Sequence, residues 1–261
     1  MEFTNLELDI AGPVGTLRLI RPQRRNSLSL ETLNELIAAA AECNARDDLR
    51  VVVLSGEGES FCAGADLGVI AALFDSTMAH EALEDMADLG RRMADAIESI
   101  RAVTIAAIHG HCVGGGVVLA AACDLRLAAD GTQFSIPETA IGIPLAWGGI
   151  PRLVRTIGPA AALDLILTCR VFAAAEAHRL GFVNRVVPAE SLDSVAHEMA
   201  QTMAGRSLYV IEQTKAAVLA ATDEIVSTRG SHADAGKMIG ALSDDESRKI
   251  AEAYFERFEA R

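Results

Sequence analysis

Several chemistries are missing from this chain. It has no CxxC cysteine pair, no HExxH, no GxSxG, and no glycine-rich loop followed by Lys and Ser or Thr. Zinc sites, elbow-type serine hydrolases and P-loop nucleotide binding are therefore disfavoured. Basic residues are scarce: 23 Lys and Arg stand against 36 Asp and Glu, a formal net charge of −13. That balance argues against a nucleic-acid surface or an anchor on anionic membrane. The longest apolar stretch, Cys112–Cys123, is too short to span a bilayer and carries three glycines. The opening MEFTNLELDIAG has acids where a secretory signal has bases and lacks an apolar run. The five cysteines, Cys43, Cys62, Cys112, Cys123 and Cys169, are odd in number and four lie in apolar segments. Buried, reduced thiols in a cytoplasmic protein are expected.

What is present is a core. Hydrophobic residues are 51% of 261 and charged residues 23%, enough for one large domain or one with a small appendage. Residues 3–20 alternate and are broken at Gly12-Pro13, as a β-hairpin or two short strands would be. Leu33, Leu36, Ile37, Ala40 and Ala41 mark a helix over Leu30–Ala45. Arg50–Leu54, Val103–Ile108 and Leu125–Ala129 are continuous apolar runs, the pattern of strands buried on both faces. Helix is expected over residues 69–100, whose polar first part near Asp75–Asp88 reads as a flap, and over Ala160–Leu180 with Gly181 as C-cap. A strand Phe182–Val187 follows, then helix from Ser191 onward, broken by a loop at Ser227–Gly236. Strands alternating with helices give an α/β fold of right-handed crossovers.

Gly56-Glu57-Gly58-Glu59-Ser60-Phe61 begins like a dinucleotide fingerprint, but Phe61 takes the third glycine's place. Two other loops hold more promise, each at the end of a buried strand. They are Phe61-Cys62-Ala63-Gly64-Ala65-Asp66-Leu67 and His109-Gly110-His111-Cys112-Val113-Gly114-Gly115-Gly116. Glycines let backbone amides turn toward a ligand, so two converging amides would form an oxyanion hole; tight strand-to-helix turns are the plainer alternative. His109 and His111 read as loop hydrogen bonding rather than metal ligation, and no metal site is expected. Asp244-Asp245-Glu246 reads as a solvated helix start.

The two loops in this order, followed by Ser135-Ile136-Pro137-Glu138, resemble the crotonase (enoyl-CoA hydratase/isomerase) superfamily. The resemblance runs from Arg21-Pro22-Gln23-Arg24-Arg25-Asn26-Ser27-Leu28 through FCAGADL, HGHCVGGGVVLAAACDLRLAAD, FSIPETAIG and GGIPRLVRTIG to Leu180–Asn184. It implies a ββα spiral core over residues 1–200 and a helical C-terminal trimerisation region over 201–261. That region's Leu208, Ile211, Val218, Leu219 and Ile225 exceed the apolar needs of a lone surface helix. A homotrimer or a dimer of trimers is implied.

The resemblance also implies roles. The amides of Ala65 and Gly115 would hold a thioester oxygen. Gln23, Arg24 and Arg25 would meet the CoA nucleotide, and the main chain at Ala63, Ala65 and Leu67 the adenine and pantetheine. Asp66 is either a loop-structural residue or a ligand contact. Glu138 matches one of the two catalytic glutamates of the hydratases. Val118 stands where the other would be, and Ala146-Trp147 where hydratases carry small residues. Trp147 walls an acyl pocket or packs the core.

A single carboxylate suits a Δ3 to Δ2 enoyl-CoA isomerase that needs no cofactor beyond the CoA of its substrate. A hydratase with an altered site and a non-catalytic acyl-CoA-binding homologue are the alternatives.

Overall fold

The computed structural model describes residues 3–74 and 78–259. β1 (Leu6–Ala11) and β2 (Val14–Leu19) form the expected hairpin, and α1 (Leu30–Asn44) follows. Ser29 caps α1 by accepting the Thr32 amide hydrogen bond at 3.1 Å, and the helix buries Leu33, Leu36, Ala40 and Cys43. β3 (Val51–Gly56) then joins β2 in parallel. The helix expected over residues 69–100 is two: α2 (Leu67–Leu73) and α3 (His80–Glu98). Residues 75–77 of the expected flap lie outside the described residues, and its remainder from His80 is the first part of α3.

β4 (Val103–Ile108) and the short β5 (His111–Val113) lead into α4 (Gly115–Ala122). Every residue of α4 is buried, as its all-apolar sequence requires. β6 (Leu125–Ala129) and the short β7 (Gln133–Ser135) repeat the pattern and end in the 3-10 turn Glu138–Ile141. Next come α5 (Gly149–Ile157) and α6 (Pro159–Thr168).

The single helix expected over Ala160–Leu180 is not formed. Cys169 turns left-handed at φ 52°, and β8 (Phe172–Ala173) carries Phe172 into a stack on Phe134, with ring centroids 5.3 Å apart. The chain resumes as α7 (Ala174–Arg179), and Gly181 at φ +87° makes the expected turn. Phe182 and Val183 donate to the Ala177 carbonyl within that turn, so the strand begins only at β9 (Arg185–Val187).

The C-terminal part comprises α8 (Leu192–Ala204), α9 (Leu208–Ile225), α10 (Asp234–Ser243) and α11 (Asp245–Glu259). The expected loop Ser227–Gly236 is mostly a 3-10 turn, Arg229–Ala233, running into α10. Buried Asp234 orders it by accepting the Gly148 amide hydrogen bond at 3.0 Å.

Six strands form one sheet in the order β1-β2-β3-β4-β6-β9, all parallel beyond the hairpin, and β5-β7-β8 form a second. The apolar runs of the large sheet divide by parity. Val52, Leu54, Ala106, Ile108 and Ala128 face the main core, while Val51, Val53, Ile105, Ala107 and Leu127 meet Leu192, Ala196 and Ala200 of α8. β3, β4 and β6 each lead on to the small sheet. The loop after β3 joins it through a parallel bridge between Cys62 and Cys112, and β5 pairs in parallel with β7, placing Cys112 opposite Phe134.

α10 and α11 fold back over the same chain: Phe255 packs edge-on against Phe74 at 6.2 Å. α9 leaves Tyr209, Val210, Val218 and Ile225 exposed, whereas Ile211 is buried. No helix among the described residues is long and apolar enough to cross a membrane.

Candidate active site

The Cys62–Cys112–Phe134 alignment delivers three chain segments to one place. Three residues beyond Cys62 lies Ala65, three beyond Cys112 lies Gly115, and four beyond Phe134 lies Glu138. All three line a single cavity of about 520 Å³, a volume in the range of small-molecule sites.

Both amides are left over by the secondary structure. The bridge between Leu28 and Ala65 uses the Leu28 amide to the Gly64 carbonyl and the Asp66 amide to the Leu28 carbonyl, so the Ala65 N–H stays outside it. Gly115 is the first residue of α4, where an N–H has no intrahelical acceptor and the helix end is electropositive. The loops can approach only because residue 64 is glycine. At φ +88° it tolerates the turn, and a Cβ there would stand 2.6 Å from the Val113 carbonyl oxygen and 3.3 Å from the Gly115 nitrogen.

Glu138 opens the 3-10 turn after Pro137 and lies against Gly114, where any Cβ would collide with its carboxylate. Its Oε2 is sealed from solvent with no hydrogen-bond partner among the described residues. Burial pushes the carboxyl from 4.5 up to about 7. Tyr254 of α11 borders the same cavity, and its phenol is raised by burial and then by the Glu138 charge. α11 sits directly on the Glu138 turn: a Cβ at Gly142 would run into the Ser247 carbonyl.

Val118 and Trp147 complete the wall near Gly115, both almost fully buried. A Cβ at Gly149 would lie 2.8 Å from Val118 Cγ2, so α4 and α5 are in close contact there.

Gln23, Arg24 and Arg25 are exposed and line the cavity's edge together with Ala63 and Leu67. The Ala63 amide is engaged by the Arg25 carbonyl at 2.9 Å. Asp66 serves the fold: its carboxylate caps α2 through the Gly68 amide at 3.1 Å and accepts from Ser27 at 3.0 Å and Arg21 at 3.3 Å. Burial works to raise its carboxyl, but these three donors outweigh it and hold it below the ordinary value. Asp66 and Glu138 are the two carboxylates among the described residues lining the cavity, and of the two only Glu138 has a buried oxygen without a hydrogen-bond partner. His109 meets the Gly58 carbonyl at 2.9 Å and His111 the Ser60 hydroxyl at 3.3 Å, which is loop hydrogen bonding.

Sequence reasoning missed Tyr254 and Met238, which line the cavity from the C-terminal helices. Their approach depends on α10 and α11 turning back onto the site, and helical periodicity carries no sign of that.

The family model described as enoyl-CoA hydratase/isomerase matches residues 9–261. The chain belongs to that family. It is 40% identical over 205 residues to a probable enoyl-CoA hydratase, echA8, of Mycobacterium tuberculosis, covering 78% of this chain and 77% of that protein. It is 32% identical over 245 residues to the peroxisomal Delta(3,5)-Delta(2,4)-dienoyl-CoA isomerase of Arabidopsis thaliana, covering 91% and 88%. An enoyl-CoA hydratase/isomerase structure from Xanthobacter autotrophicus Py2 superposes with a TM-score of 0.87 at 25% identity, covering 98% of this chain and 93% of that one. The chain is accordingly an enzyme of the hydratase/isomerase class, with the fold the sequence resemblance implied.

The raised carboxyl of Glu138 has a consequence for stability. Its folded value, about 7, lies above the ordinary 4.5, so the folded state holds this proton more tightly than the unfolded chain. The fold therefore loses stability as pH rises from 4.5 through about 7. Glu138→Gln should melt higher than the parent at about pH 8, with the gap closing by about pH 4.5. Thermal midpoints across that range check this, and a gap independent of pH would contradict it.

Proposed function

We propose that the protein is a single-glutamate enoyl-CoA isomerase, moving a double bond from Δ3 to Δ2. One observation carries this reading: the cavity has one carboxylate with a buried, partnerless oxygen among the described residues, Glu138, and an aliphatic Val118 on the helix that begins at Gly115. The thioester oxygen accepts hydrogen bonds from the Ala65 and Gly115 amides, which stabilise the enolate formed when C2 loses a proton. Each such donor lowers a barrier by about 2.7–4 kcal/mol. Glu138 takes the C2 proton and returns it at C4, and a positioned base of this kind is worth roughly 10²- to 10⁴-fold. A carboxyl near 7 suits both steps, being ionised often enough to accept the proton and acidic enough to give it back. Arg24 and Arg25 are the cations at the cavity's edge and would meet the CoA phosphates.

The relatives named hydratase favour a second reading, hydration of a 2-enoyl-CoA. That reaction is better served by two carboxylates, which orient the water and handle its proton. Val118 can do neither.

Three expectations follow. Glu138→Gln should lower kcat for 3-enoyl-CoA isomerisation by about 10²-fold or more with acyl-CoA affinity nearly intact. Parent activity should fall as pH drops through about 7, because only ionised Glu138 accepts the proton. Steady-state assays with 3-enoyl- and 2-enoyl-CoA check both; faster turnover of the 2-enoyl thioester to a hydroxyacyl product would favour the hydratase. The exposed Tyr209, Val210, Val218 and Ile225 of α9 further support a homotrimer or a dimer of trimers. Light scattering should give three or six chains, and a stable monomer at micromolar concentration would contradict it.

A further inference from the structure

Trp147 is the only tryptophan of the chain and, among the described residues, one of four non-glycine residues with positive φ, at 60°. Such a backbone is costly for a bulky residue and persists only where its surroundings impose it. Here they do. The Trp147 and Gly148 carbonyls accept from Arg152 Nη1 at 3.4 and 3.3 Å, and the Gly148 amide donates to Asp234. Arg152 is itself fully buried and tied to Asp95 at 2.9 Å and Glu98 at 2.7 Å. The ring's seat is equally specific. A Cβ at Gly90, inside α3, or at Gly115, at the start of α4, would fall within the indole. Glycine in mid-helix is destabilising relative to alanine, so α3 gives up helix stability where the ring rests.

The indole therefore fills the cleft between α3 and α4 and borders the cavity beside Gly115. We infer that Trp147 is a specificity-determining residue: it closes the α3–α4 cleft to the acyl group, so the site takes slim, short acyl chains and rejects long or bulky ones. This rests on the acyl-CoA reading above. Gly90 and Gly115 are the matching half of the device, since a smaller residue at 147 would leave an open, apolar slot against both.

The test uses saturated acyl-CoA thioesters, which bind without reacting, so it does not depend on which reaction the enzyme performs. Calorimetric titration of the intact protein with butanoyl-, octanoyl- and dodecanoyl-CoA should show affinity failing to rise beyond the short chains. In Trp147→Ala the longer thioesters should gain about tenfold for each two methylenes newly buried, while butanoyl-CoA stays within about threefold. Trp147→Phe, which keeps a ring in the seat, should lie between. An unchanged ratio of long- to short-chain affinity in Trp147→Ala, or a uniform loss across the series, would overturn the inference.

Emission from the parent's single tryptophan gives a readout that needs no variant. It should shift on binding acyl-CoA and not on binding CoA alone. Acyl-CoA that binds by calorimetry with no change in emission would also overturn the role of Trp147, leaving the isomerase reading intact. Failure of every thioester to bind would instead overturn the acyl-CoA reading on which it rests.

Discussion

Cys62, Cys112 and Phe134 lie side by side across the small sheet, each fully buried, and their register governs the site. The hydrogen bonds that fix it are the Cys62 amide to the His111 carbonyl, the Val113 amide to the Cys62 carbonyl and the Gly114 amide to the Ser135 carbonyl. From those positions the chain needs three, three and four residues to reach Ala65, Gly115 and Glu138. A slip of one residue in any of the three would send a different amide, or a different side chain, into the cavity. Phe134 also stacks on Phe172 and meets Phe182 edge-on at 5.7 Å, so the segment bearing Glu138 is anchored in a cluster of three buried aromatic rings. The candidate catalytic groups sit on loops, but strand pairing places the loops.

Electrostatics then divides the two carboxylates of the cavity. Asp66 has three donors and stays ionised, holding together the loop that presents the Ala65 amide. Glu138 has an oxygen sealed from water with no partner, so its charge is costly and its proton is held to about 7. Two acids in one cavity thus differ in role because their surroundings differ. The helices that enforce the desolvation come from the C-terminal part of the same chain, through Tyr254, Ser247 and the Phe74–Phe255 pair.

Much of this was legible in the sequence, and the limits have physical causes. The buried runs Val51–Leu54 and Val103–Ile108 marked strands because apolar residues at both parities require two covered faces. The glycine loops and Glu138 were legible through motif resemblance, and the structure brings Glu138, Ala65 and Gly115 to one cavity with all six residues expected to contact CoA. The break of the expected helix Ala160–Leu180 was not legible, because it depends on Phe172 finding Phe134, a partner distant in sequence. Ser227–Gly236 read as loop from its polarity, yet Ser231 and Asp234 are buried against the turn that carries Trp147. A polar residue's burial depends on what folds over it, and local pattern does not encode that.

The proposed isomerisation requires the Glu138 carboxylate to move the same proton from C2 to C4. Isomerisation of a 3-enoyl-CoA carrying deuterium at C2, in ordinary water, tests it most directly. A single desolvated base should return a measurable fraction of the deuterium to C4 of the 2-enoyl product, as read by mass spectrometry or NMR. Complete washout of the label, with only solvent hydrogen at C4, would mean that water or a second group completes the transfer and would contradict the account.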